Sequence, residues 1–152
     1  MKPPSVVLLA FGLLVRAASA QTTKLGSVTF GTPLCGGIFA NGTPINNSDC
    51  MAAVNQMFAA HCASGSCNIL PLAQSAESGF AQSVGTCTTS VTFALGGNGA
   101  TFYEAPVRDA FPQFIAECVE PGSGDTDNFP ILVSTNGALN LVFSTSGPTG
   151  GG

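Results

Sequence analysis

His61 is the single histidine of the chain and the one side chain whose ordinary titration suits acid–base chemistry near neutral pH. A Ser–His–acid set is possible in space, but it is recognised by geometry, and plentiful serine is no evidence for it. The nucleophile-elbow pattern Gly-x-Ser-x-Gly is absent. His61, next to Cys62, therefore reads as a structural or surface residue. Glu77, Glu104, Glu117, Glu120, Asp125 and Asp127 offer carboxylates for glycoside hydrolysis. That chemistry needs two carboxyl groups held rigidly at a set separation. Asp125 and Asp127 fall in an acidic, Gly-rich stretch over residues 120–128, which reads as solvated loop. Their spacing faintly resembles the start of a calcium loop, but the full repeat and its terminal Glu are missing. No residue is assigned to catalysis.

Binding is the better served chemistry. Aromatic rings stack on the apolar faces of sugars. The chain has no Trp, and Tyr103 is its sole Tyr. Most of the Phe residues fall on core-facing positions. Tyr103 follows the Gly-rich run at 96–99 and precedes a helical pattern. Such a residue more often serves as a hydrophobic staple at a helix start, but exposed it makes a stacking platform. Asn98 and Asn128 are loop amides able to bond hydroxyl groups, although Asn in turns is usually turn chemistry. Tyr103, Asn98 and Asn128 are the candidate ligand-binding residues. Asn46-Asn47-Ser48 is an N-glycosylation acceptor in a predicted surface loop. Asn41-Gly42-Thr43 is another, with Pro44 directly after it.

The first 20 residues place these groups outside the cell. Lys2 precedes an apolar stretch over residues 6–15, and Ala18-Ser19-Ala20-Gln21 has the small residues that a signal peptidase reads. We expect cleavage after Ala20. A membrane anchor is disfavoured because a bilayer needs about 20 apolar residues. Removing residues 1–20 from 152 leaves 132, one domain's length. Lys2 and Arg16 leave with the signal, so Lys24 and Arg108 face eight acids, a net charge of −6. So few cations argue against nucleic acid, whose phosphates need Lys and Arg, and against anionic membrane surfaces. Cys35, Cys50, Cys62, Cys67, Cys87 and Cys118 all follow the signal, and an even count in an exported chain reads as three disulfides. No paired Cys-x-x-Cys knuckle is present, so neither a metal nor a cofactor is expected.

The elements that must position these groups follow from periodicity. Residues 24–30 read as a short strand, with Val28 and Phe30 on one face. Residues 31–47 read as loop. Ser48 or Asp49 can cap a helix whose face carries Cys50, Val54, Met57, Phe58 and His61. Residues 68–83 are ambiguous. Residues 86–95 alternate cleanly and give the clearest strand. A second helix lies within 104–119, with Val107, Phe111, Phe114, Ile115 and Cys118 on one face. Pro112 removes a backbone donor there, so this helix either starts near Asp109 or is kinked. Asn136-Gly137 between two β-rich runs predicts a hairpin with Leu132 opposite Leu141 and Ile131 opposite Val142. Both its faces are apolar, which predicts cover on both sides. The predicted fold is α+β: a mainly antiparallel sheet of about four strands with two helices packed on it, stapled by disulfides. The single domain spans residues 21–146, with a disordered Gly/Pro tail over 147–152.

With its cysteines placed, the chain resembles a group of small secreted fungal proteins. The carrying residues are Cys35, Ser48-Asp49-Cys50-Met51-Ala52-Ala53, Gly85-Thr86-Cys87-Thr88-Thr89-Ser90-Val91, and Cys118 closing a helix. The group includes glycan-binding lectins, virulence effectors and killer-toxin-like domains. Six cysteines allow many connectivities. We favour Cys62–Cys67 as a local closure, with Cys35–Cys118 and Cys50–Cys87 tying helices to the sheet. The expectation is a secreted, non-catalytic binding protein whose partner is extracellular carbohydrate. The alternative is an effector or killer-toxin-like protein acting on a host or competitor surface protein. A small hydrolase is the remaining one.

Overall fold

A computed structural model describes residues 21–35, 45–72, 78–94, 98–119 and 130–145. The expected signal peptide and tail lie outside these residues, as do Asn41, Asn128, Glu77, Glu120, Asp125 and Asp127. In chain order the elements are β1 (Thr22–Lys24), α1 (Asn47–His61), β2 (Cys62–Ala63), β3 (Ser66–Ile69), β4 (Gly79–Val84), β5 (Cys87–Phe93), β6 (Gly99–Tyr103), α2 (Glu104–Arg108), α3 (Phe111–Cys118), β7 (Ile131–Val133) and β8 (Leu139–Thr145).

Among the described residues the fold is α+β, with two four-stranded sheets in place of the one expected. One has the order β1-β6-β3-β2, the other β4-β5-β8-β7. Every pairing is antiparallel except β1 with β6. β5 alternates buried and half-buried residues without a break, the pattern of a central strand with one face on the core. The hairpin has the register expected, Ile131 opposite Val142 and Leu132 opposite Leu141. Gly137 takes the left-handed conformation its turn requires, at φ 68°. Leu132 and Leu141 face the core, whereas Ile131 and Val142 are only half-buried.

The strand expected over 24–30 sits earlier, at β1. Leu25 and Val28 are both buried, a spacing of three that no straight strand face can satisfy, and Phe30 pairs with Ser134 only as an isolated bridge. The second helical segment divides into α2 and α3, the break falling at Asp109 and Ala110, just before Pro112. There the proline occupies the first turn of α3, where its missing donor costs nothing.

α1 packs on β4 and β5 and touches α3 and β3. Its cap is Asn46 rather than Ser48 or Asp49: the Asn46 side chain accepts from the Ser48 N–H. Asp49 is thereby free to reach across to the β4–β5 turn. Its carboxylate accepts from both the backbone N–H and the hydroxyl of Thr86, each at 2.8 Å. Gly85 turns with φ 52° directly against that carboxylate, leaving no room for a Cβ. The Thr86 N–H, and then its hydroxyl, hold the Asp49 carboxyl below its ordinary value of 3.8.

A depressed folded value means that this bond stabilises the fold above the ordinary carboxylate range and is lost as pH falls through the folded value. Thermal unfolding from pH 7 to pH 2 should therefore show an acid-side loss in the wild type that is smaller in Asp49→Asn. Identical pH profiles for the two proteins would show that the clamp carries no stability.

The disulfides are Cys35–Cys118, Cys50–Cys87 and Cys62–Cys67, the connectivity favoured from the sequence. The first ties the N-terminal segment to the end of α3, the second ties α1 to β5, and the third closes the β2–β3 hairpin. Among the described residues no helix is long and apolar enough to cross a membrane.

Candidate functional site

Where β6 hands over to α2, the chain leaves a tyrosine in solvent. Tyr103 is the last residue of β6 and the N-cap of α2, with extended backbone and no capping bond from its side chain. A hydrophobic staple couples the residues flanking this position, and here those are Phe102 and Val107, both fully buried. Tyr103 itself is left 57% exposed. The staple positions thus belong to Phe102 and Val107, and the Tyr103 ring is left in solvent.

Its surroundings are built by three elements. The β2–β3 turn lies on one side, fixed where Glu104 N–H donates to Gly65 O at 2.9 Å and where Ser66 pairs with Tyr103. α2 forms the floor. One turn along it, Arg108 donates from Nη1 to Glu104 Oε1 at 2.9 Å. Its Nη2 donates to Asn55 Oδ1 of α1 at 2.8 Å. A guanidinium tied at both ends is a fixed donor rather than a waving one, and the side chain is about half exposed. The depression, about 590 Å³, is lined by Gly65, Tyr103, Glu104, Ala105, Arg108 and Asp109. Across Asp109 lies a second groove of about 320 Å³, whose walls include Thr29, Phe30, Pro106 and Gln113. The two share the Asp109 side chain. Together they make a shelf around the exposed Tyr103 ring, lined by a guanidinium, carboxylates and an amide.

Of the three residues expected from the sequence, only Tyr103 lies here. Asn98 is exposed but precedes the far end of β6, about 17 Å from Tyr103 at the rise of a strand. Asn128 lies outside the described residues. Asn55, Arg108 and Asp109 were not singled out. A signal for Arg108 existed: it is one of only two cations after residue 20, and it follows Glu104 at the helical spacing of four.

His61 lies elsewhere. Its ring stacks on Phe80, with centroids 4.7 Å apart and planes 11° apart. Among the described residues no hydroxyl or carboxylate bonds its imidazole, and no group of three or more His, Cys, Asp or Glu side chains is placed to hold a metal.

The fold and this surface define a disulfide-stapled α+β domain that presents an exposed aromatic shelf. No model of a known protein family matches the chain, and no curated protein is significantly similar to it.

Proposed function

We propose that this protein is a secreted, non-catalytic glycan-binding protein whose ligand stacks on Tyr103. The observation that carries the reading is the exposed ring beside a guanidinium held at both ends. A pyranose has one apolar face and a rim of hydroxyls. The ring would cover the face, and Arg108, Glu104 and Asp109 would bond the rim. Concave sites of this kind combine an apolar surface with a few fixed polar groups, and Tyr and Arg dominate binding energy where they occur. Three disulfides fit an extracellular workplace. The deficit of cations directs the protein away from phosphate-rich partners and towards neutral or amino sugars.

The test is a broad glycan array, probed with the oxidised protein and with Tyr103→Ala. The expected result is saturable binding to one glycan class, reduced by about tenfold or more in the variant. The melting temperature should stay within about 2 °C, because an exposed ring contributes little to the core. Binding that Tyr103→Ala leaves intact would remove the shelf from the reading. No binding to any glycan would withdraw it altogether, and capture of a specific surface protein would then support the effector alternative.

A further inference from the structure

Asn46 uses one atom of its side-chain amide and leaves the other free. Its backbone is extended (φ −93°, ψ 126°) where α1 begins. Its Oδ1 accepts from the Ser48 N–H at 2.9 Å and from the Ser48 hydroxyl at 2.8 Å. A backbone N–H only donates, so the oxygen must face Ser48, and the bond itself settles which way the amide is turned. Nδ2 therefore faces away from the helix start, and among the described residues it donates no hydrogen bond. The residue is exposed. It is also held from behind: its own N–H donates to Thr86 Oγ1 at 2.8 Å, and Thr86 is gripped by Asp49. A group attached to Nδ2 would displace none of these bonds.

Asn46, Asn47 and Ser48 are also the acceptor triplet for N-glycosylation, with no proline at the middle position. We propose that Asn46 carries an N-linked glycan in the folded protein while its Oδ1 goes on capping α1. The donor is an oligosaccharide carried on a polyprenyl pyrophosphate. Nδ2 attacks the anomeric carbon and the N–C bond forms. The bond from that carbon to the pyrophosphate oxygen breaks, and the pyrophosphate leaves with the electron pair. Nδ2 gives one of its two protons to a base of the transferase. Transfer precedes folding, so the folded state has only to accept the product, and the free, outward Nδ2 does so. The proposal is independent of what the Tyr103 shelf binds. It rests on passage of the chain through a secretory compartment.

The test is translation of the full chain with microsomal membranes, followed by peptide-N-glycosidase in ¹⁸O water. A mobility shift should appear in the wild type and be absent from Asn46→Asp and Ser48→Ala, with the ¹⁸O label found at position 46. An unmodified Asn46, whether the chain stays outside the membranes or the triplet is skipped, overturns the proposal, as does a label confined to Asn41. The cap is read separately, by melting. The glycosylated wild type keeps Oδ1, so it should melt no lower than Asn46→Asp, which also has an acceptor oxygen at position 46. Asn46→Ala, which lacks that oxygen, should melt about 4 °C lower. Equal melting of all three would refute the dual role.

Discussion

Removing the disulfides one pair at a time, by double substitution to alanine, should lower stability in the order of the loops they close. The Cys35–Cys118 bond spans 83 residues, Cys50–Cys87 spans 37 and Cys62–Cys67 spans 5. A crosslink acts mainly by restricting the unfolded chain, and the restriction grows with the logarithm of loop length. That gives about 4.5, about 4 and about 2 kcal/mol respectively. For a domain of this size the larger two correspond to about 15 °C in melting temperature. Cys50 and Cys87 are both fully buried against the core, so Cys50→Ala/Cys87→Ala also loses packing and should match the longer loop closely. Thermal unfolding of the three variants by circular dichroism measures this. Equal losses for all three would show that the staples act through native contacts instead, and a loss confined to Cys62→Ala/Cys67→Ala would overturn the ranking.

The same logarithm sets the staple that borders the shelf apart from the other two. Cys62–Cys67 closes the hairpin whose turn borders Tyr103. Over so short a loop its contribution to global stability is the smallest of the three, and its larger influence is on local shape. Its loss should therefore leave the protein folded at room temperature while disturbing the register of Ser66 against Tyr103.

How legible each element was depended on whether enough residues repeated a pattern. β5 has seven residues that alternate, so it could be read as a strand, and β8 has seven behind an Asn-Gly turn, so it could be read with its register against β7. The two helical faces were legible because Cys50, Val54, Met57 and Phe58, and then Val107, Phe111, Phe114, Ile115 and Cys118, keep helical spacing and are buried. The first sheet was not legible. β2 has two residues, β3 four and β6 five, too few for a period to declare itself. β4 carries Gly, Ala, Gln and Ser among its six positions, small or polar residues that mark no face. With that sheet unread, the groups that β6 and α2 bring together could not be placed. Tyr103 stood out by rarity alone, and Asn98 was grouped with it because the four residues of strand between them went unseen. Arg108 and Asn55, 53 positions apart, meet only because α1 and α2 are neighbours.

Phe58→Ala should cost as much as a long-range staple, through an entirely different mechanism. Six phenylalanine rings form a continuous string through the core. Phe102 stacks on Phe80 at 6.3 Å, Phe80 meets Phe58 edge-on at 6.4 Å, and Phe58 meets Phe111 at 5.9 Å. Phe111 then meets Phe143 at 5.5 Å, and Phe143 meets Phe114 at 4.6 Å. Phe58, on α1, is the link between the half that reaches β6 and the half that reaches β8. It is 1% exposed, so its removal leaves a cavity rather than a dent. Truncating a buried Phe costs about 4 kcal/mol, part of it the cavity and part the two edge contacts. Phe58→Leu keeps most of the volume and should cost about 1 kcal/mol. Urea unfolding of both variants gives the comparison, and a Phe58→Ala loss no larger than that of Phe58→Leu would mean that α1 closes over the gap. The same helix carries Asn55, which holds one end of Arg108. If the proposed glycan binding holds, loosening α1 should lower that affinity along with stability in Phe58→Ala, whereas Tyr103→Ala should lower affinity alone. The contrast separates the residue proposed to meet the ligand from the core that keeps its neighbours in place.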